Sequence, residues 1–455
     1  MSRRFALLCV AFALSGASVE ETLTLGRKAL LNEGVALAWT LSQRALAEAP
    51  ESAAPHEFAG EILFRRGDFA RAKDEFQRAL KLDERFAGAW WGLARIAECE
   101  SMRKTAASYS RRAYELDPRE RRIFLDWAMR LDGRQRTRAL EKYASTASPG
   151  ELNTVRQRIA LFKALEGRDV MVLASPYRRS EIPLAKLTSD LNRMRVYGLE
   201  VAVNGDKLSL LLDTGASGIL IKRKAAEKAG VTRISDATFR GIGSNPKQPG
   251  GYHGVAERLR IGDVEFRDAL IGVAETDFIA NQDGLIGTDV FSEFLVTLDF
   301  ANLSLRLDPL PGLDGDGKPA DMRHFTRVFR FGHMLLIPTR VGDSREALFV
   351  IDTGATRTLI SYDIAAQVGK VNRDDKMRIS GVNGKVSDVF QTGSLFLQFA
   401  GFRQSSAGIT AFDMWEQSRN LGTEVSGLLG LPVLSLFTLT IDYRDGLVNF
   451  DYKGH

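Results

Sequence analysis

The chain has 455 residues, 44% apolar and 26% charged, with 62 Lys and Arg against 57 Asp and Glu. That length exceeds what one hydrophobic core organises, so two or three domains are expected. A net charge of +5 is too small for the length to argue for nucleic acid, and two cysteines exclude a disulfide framework.

Residues 1–18 have the layout of a secretory signal peptide. Arg3 and Arg4 precede an apolar run over residues 5–14, and Ser15, Gly16 and Ala17 supply small residues for cleavage. The run is short for a bilayer span. The expected outcome is export to the periplasm or beyond, with no stable membrane insertion once the segment is removed. Retention of the segment as an anchor is the other reading. Cys9 leaves with the signal, and Cys99 then stands alone in a helical pattern as a small core residue.

Residues 19–150 carry a helical period with a 34-residue register. Ala38, Ala72 and Ala106 follow that step, as do Ala45, Ala79 and Ala113. Phe58, Phe64, Phe69 and Phe76 accompany the alanines, and Trp90, Trp91, Tyr109 and Tyr114 come in the next copy. This stretch resembles the tetratricopeptide repeat, in which small residues let paired helices approach and aromatic residues fill the gap. The resemblance implies a short all-α solenoid, with a concave face for a partner protein or peptide. Residues 101–143 hold 12 basic against 6 acidic side chains, which reads as a solvated helix face. Residues 151–190 begin with one more helix. They then become rich in Pro and charge, as in a linker or an extended arm that could lie in the cleft of the following domain.

The remaining chain is organised around a stretch that occurs twice. Leu210, Leu211 and Leu212 run into Asp213-Thr214-Gly215-Ala216, and Phe349, Val350 and Ile351 run into Asp352-Thr353-Gly354-Ala355. Each apolar run reads as a buried strand that delivers a carboxylate to a tight turn at the edge of a core. A second block is also duplicated. Residues 284–300 and 427–443 are identical at eight of seventeen positions and begin with Gly284-Leu285-Ile286-Gly287 and Gly427-Leu428-Leu429-Gly430. Two carboxylates in equivalent settings suggest a facing pair that shares one proton.

Four ordered blocks in duplicate resemble the aspartic proteases, and the Ala after each Asp-Thr-Gly together with the short lobes resembles their retropepsin-like branch. The resemblance implies an all-β bilobal acid-protease barrel domain, with lobe 1 at 191–308, an inter-lobe linker at 309–334 and lobe 2 at 335–455. It implies that Asp213 and Asp352 are the catalytic pair of an endopeptidase acting on peptide or protein substrates. It also implies that Thr214 and Thr353 lock the two turns while Gly215 and Gly354 permit them. Gly241-Ile242-Gly243 and Gly381-Val382-Asn383-Gly384 begin 28 and 29 residues beyond their aspartates. In retropepsin-like enzymes that position is a substrate-binding flap, so Gly241, Ile242, Gly243, Gly381, Val382 and Gly384 are the flap candidates. The five histidines show no metal-ligand spacing, and neither a metal nor another cofactor is expected. The reading from a different class is a scaffold that binds extended peptides without cutting them.

Overall fold

A computed structural model describes residues 18–31, 34–188, 195–239, 241, 250–279, 281–312, 323–369, 371–373, 379–381, 384–386, 388–406 and 408–454. The signal-like segment 1–17 lies outside the described residues. No helix among them is long and apolar enough to cross a membrane.

The chain forms two compact units. The first holds residues up to Leu131 together with 418–424, and the second holds the rest.

The first unit is helical. Val19–Leu31 packs with Val35–Glu48, Ala53–Arg65 with Phe69–Leu82, and Ala87–Cys99 with Arg103–Leu116. Arg121–Met129 follows. The 34-residue register marks equivalent places in these hairpins, because Ala38, Ala72 and Ala106 are all fully buried, as are Ala45, Ala79 and Ala113. Aromatic rings fill the space those small residues leave. Phe76 is wedged between Gly60 and Gly92, where an added Cβ would stand 2.7 and 2.4 Å from its ring. Cys99 is buried, and that burial pushes its thiol above the ordinary range, as suits a packing residue. Thr423 Oγ1 donates to the Phe64 carbonyl at 2.8 Å and the Glu424 amide to the Arg65 carbonyl at 2.7 Å. Together with the Gly67 amide, 3.0 Å from the Phe64 carbonyl, these bonds occupy the last carbonyls of Ala53–Arg65.

The second unit starts with two helices, Gly133–Ala144 and Pro149–Ala164, which pack on one another. Thr238 Oγ1 ties the second to the sheet by donating to Gln157 Oε1 at 3.0 Å. Everything after them is β-rich. The stretch read from sequence as a linker or cleft-seated arm contributes three strands. Val172–Leu173 and Ala185–Thr188 join the first sheet, and Ser180–Pro183 becomes an edge of a six-stranded sheet. Its alternating burial, with Ser180 and Ile182 inside, is set by the strand Ser304–Pro309 beside it.

Lobe 1 is a nine-stranded sheet that closes on itself, because Gly250–Ile261 and Val264–Ala274 pair with each other and with opposite ends of the remaining path. Its first hairpin turns at Asn204 and Gly205, both with positive φ (51° and 94°), the backbone that a two-residue hairpin requires. The return strand Asp206–Asp213 pairs in parallel with Gly284–Gly287, and the latter pairs antiparallel with Ile219–Lys222. Lobe 2 repeats the arrangement. Glu346–Ile351 lies parallel to Gly427–Leu429, which is antiparallel to Leu359–Ser361. Close approach explains why the second block carries glycine. A Cβ on Gly287 would stand 2.4 Å from the Ala216 carbonyl oxygen, and one on Gly430 would stand 2.2 Å from that of Arg357.

The lobes meet in the six-stranded antiparallel sheet, where Phe294–Asp299 pairs with Phe437–Asp442. Thr297 faces Thr440, its own counterpart in the duplication, with their hydroxyls 3.2 Å apart. The pseudo-two-fold axis of the repeat therefore passes between these strands. The apolar core is continuous through both lobes and the sheet joining them.

Candidate active site

Each candidate aspartate stands at the end of a strand whose inward side chains are buried, Asp206–Asp213 in lobe 1 and Glu346–Ile351 in lobe 2. Leu210, Leu212, Phe349 and Ile351 are essentially inaccessible to water. The strands anchored by these side chains hold Asp213 and Asp352 at the junction of the lobes.

The two turns are locked to each other. The Thr214 amide donates to Thr353 Oγ1 at 3.0 Å, and the Thr353 amide donates to Thr214 Oγ1 at 2.9 Å. Each hydroxyl then donates onward across the junction, Thr214 to the Ile351 carbonyl at 2.7 Å and Thr353 to the Leu212 carbonyl at 3.1 Å. Both threonines are buried, so no water replaces these bonds. Thr214→Val keeps the shape but strands the Thr353 amide and the Ile351 carbonyl. At about 1–3 kcal/mol for each unsatisfied buried group, melting should fall by roughly 5–10 °C. Thr214→Ser should melt close to the wild type. Thermal melts decide, and a Thr214→Val protein as stable as the wild type would show that the lock contributes little.

The lock brings the carboxyls together. Asp213 Oδ1 accepts from the Gly215 amide at 2.8 Å and Asp352 Oδ1 from the Ala355 amide at 2.9 Å. The two carboxyls crowd the same spot, since a Cβ on Gly215 would stand 3.1 Å from Asp352 Oδ2 and 3.2 Å from Asp213 Oδ1, and two acids that close do not both ionise easily. A Cβ on Gly354 would stand 2.4 Å from Asp213 Cγ, and one on Gly215 would stand 3.0 Å from Asp352 Cγ. The glycines thus leave each carboxyl room to reach across to the other turn.

Burial raises both acids above their ordinary range. For Asp213 the Gly215 amide, the bond to Asp352 and the charge of His333 pull in the opposite direction. For Asp352 the neighbouring Asp213 charge adds to burial, and this acid stands well above its usual range. The pair titrates as a unit that holds one proton over a window of pH. Such a pair can take a proton at one oxygen and give one at another in the same step.

The flap candidates are described only in part. Gly241 is an exposed residue following the strand Thr232–Thr238, and Ile242 and Gly243 lie outside the described residues. In lobe 2, Gly381 pairs with Gly384 in a small hairpin, and Val382 lies outside the described residues.

Two groups at the site carried no sequence signal used above. Asp289 accepts from Ser217 Oγ at 3.0 Å and from the Gly218 amide at 2.8 Å, holding the chain just past the first turn. Its counterpart in the duplication is Pro432, so comparing the two blocks position by position would have marked it. His333 Nε2 lies 3.1 Å from the Gly215 carbonyl oxygen, a long-range contact that no local pattern encodes.

Residues 199–290 and 337–433 match the family model of aspartyl proteases. Among curated proteins, the UBA domain-containing protein Mud1 of Schizosaccharomyces pombe is 29% identical over 112 residues, 24% of this chain and 32% of that protein. DNA damage-inducible protein 1 of Kluyveromyces lactis is 24% identical over 128 residues, 28% of this chain and 30% of that protein. The chain spans about a third of the length of these relatives. Among solved structures, the aspartic proteinase from Irpex lacteus aligns with a TM-score of 0.39 at 16% identity, over 60% of this chain and 97% of that one. The β-rich part of the second unit has an aspartyl-protease-like fold.

Proposed function

We propose that the β-rich part of the second unit is an aspartic endopeptidase in which Asp213 and Asp352 activate water. The observation that carries this reading is the close approach of two carboxyls around Gly215, on turns cross-locked by Thr214 and Thr353. The match to the aspartyl protease model over both halves supports it.

The chemistry follows from the protonation pattern. Ionised Asp213 takes a proton from a water seated between the carboxyls, and the water oxygen attacks the carbonyl carbon of the scissile bond. Protonated Asp352 hydrogen-bonds the carbonyl oxygen and stabilises the charge that develops there. Collapse of the tetrahedral intermediate passes a proton to the amide nitrogen, breaks the C–N bond and restores one shared proton. Substrate contact is assigned to the flap candidates, of which Gly241, Gly381 and Gly384 are among the described residues. Their glycines would allow main chain to approach main chain.

We assign the helical unit, on the 34-residue register and its buried alanines, to a tetratricopeptide-like repeat that binds a partner or the substrate protein. Export rests on residues 1–18 alone. N-terminal sequencing of native protein should find the chain starting near residue 18, and an intact Met1 in a soluble cytoplasmic fraction would overturn export.

A peptide whose scissile amide is replaced by a secondary alcohol mimics the tetrahedral species. Calorimetry should show it binding the wild type and binding Asp352→Asn far more weakly. Equal binding to both would count against water activation by the pair.

A further inference from the structure

His333 sits at the tip of the hairpin formed by Phe329–Phe331 and Met334–Val341, next to Gly332 at φ 63°. The hairpin is anchored at its base, where the Arg330 guanidinium donates to the backbone carbonyl of Tyr443. Tyr443 is itself buried and hydrogen-bonded to Thr288, 2.5 Å away. From this platform the imidazole reaches from lobe 2 to the Asp213 turn of lobe 1.

The contact has a defined chemistry. A carbonyl oxygen only accepts, so Nε2 must carry the proton, and Nδ1 is then the nitrogen that gains or loses one. The bond to Gly215 is therefore compatible with a neutral or a cationic ring. The Gly215 amide donates to Asp213 Oδ1, so His333 and Asp213 hold the same residue at its carbonyl and at its amide.

We propose that His333 is a positioning residue for the pair, which fixes the Gly215 turn through Nε2 and, as the imidazolium, makes Asp213 the member that accepts the proton of water. This rests on the endopeptidase reading above. Among the described residues, the ionisable groups at this corner are Asp213 and Asp352 from the two turns, Asp289 behind Gly287, Arg330 from its own hairpin and Tyr443 just past the strand Phe437–Asp442. Arg330 is a permanent cation. Burial pushes the Tyr443 hydroxyl up, so it stays neutral, and Asp289 is satisfied by Ser217 and Gly218. His333, as the imidazolium, places its charge on the Asp213 side of the pair. It lowers the proton affinity of Asp213, in opposition to the larger effect of burial.

The test uses three substitutions in the full chain. His333→Gln keeps a donor for Gly215 without the charge, His333→Lys keeps a charge, and His333→Phe removes both. Two readouts are followed from about pH 3 to 8: kcat/KM on a cleaved peptide, and carbon-13 carboxyl shifts of the aspartates in the uncomplexed protein. With His333→Gln the acidic limb of the profile should move up by about one pH unit. Activity should fall up to about tenfold below the limb and stay near wild type on the plateau. The Asp213 carboxyl signal should shift its midpoint in the same direction. His333→Lys should restore both, and His333→Phe should add a loss at every pH. Superimposed profiles and unchanged carboxyl titrations for His333→Gln would overturn the proposal. So would a uniform loss at every pH without any shift, which is what a purely structural histidine predicts. If no form hydrolyses peptides, the endopeptidase reading fails, and the carboxyl titration alone still decides the role of His333.

Discussion

Asp213→Asn and Asp352→Asn should each abolish peptide hydrolysis, with a loss in kcat of at least about 10⁴-fold. Each substitution leaves one carboxyl in place of two, and one carboxyl cannot accept the proton of water and hold a proton for the carbonyl oxygen together. The double substitution should be no worse than either single one, because the pair acts as a unit. Folding should survive, since Asn has the shape of Asp and the turns are held by the threonine lock. Stability should rise near neutral pH. Burial raises both acids in the folded chain, so the native state keeps a proton that the unfolded chain releases. Native stability therefore declines as pH climbs from the ordinary carboxylate range through the titration of the pair, and no penalty exists below that range. Asp352→Asn removes the more strongly raised acid. It should melt above the wild type at about pH 7, and the gap should close toward about pH 3. Rate assays and melts on all four proteins check both statements. A folded single mutant with near wild-type turnover would show that the pair is not the catalyst.

Gly354→Ala should also remove activity, by about 100-fold or more, while leaving the fold intact. Its Cβ would stand 2.4 Å from Asp213 Cγ and 2.5 and 2.7 Å from the carboxylate oxygens. No packed pair of atoms approaches so closely, so the Asp213 side chain must turn away from Asp352. What moves is the end of a side chain rather than main chain, and melting should change little. Gly215→Ala is the milder partner. Its Cβ would meet Asp352 Cγ at 3.0 Å, Asp352 Oδ2 at 3.1 Å and Asp213 Oδ1 at 3.2 Å, contacts that a shift of a few tenths of an ångström relieves. The two glycines look equivalent in the duplicated sequence, so the expected asymmetry comes only from the structure. Kinetics of both variants on one peptide would measure it. A Gly215→Ala enzyme more damaged than Gly354→Ala would contradict this packing argument.

The parts of the molecule legible in the sequence are those whose cause is local or repeated. An apolar run that ends in Asp-Thr-Gly is a strand feeding a tight turn, and its second occurrence implies a partner for the first. The helical hairpins are legible for the same reason, since fully buried alanines recur at one step. The strands at 172–188 are not, because Ser180–Pro183 takes its alternation from the neighbouring strand and carries little apolar signal of its own. Thr297 and Thr440 could be seen as counterparts, but their pairing across the pseudo-two-fold axis is a tertiary fact. His333 is the extreme case. It lies in a stretch that reads as inter-lobe linker, 118 residues from Gly215, and only the fold brings the two together.

The central claim is that two carboxyls on a locked pair of turns hydrolyse peptide bonds. Its most direct test is digestion of a mixed peptide library by the purified chain and by Asp352→Asn, from about pH 3 to 8, with new termini read by mass spectrometry. The account predicts internal cleavage by the wild type and none by the mutant. Peptides that emerge uncut from the wild type at every pH, or cut equally by both proteins, would contradict it.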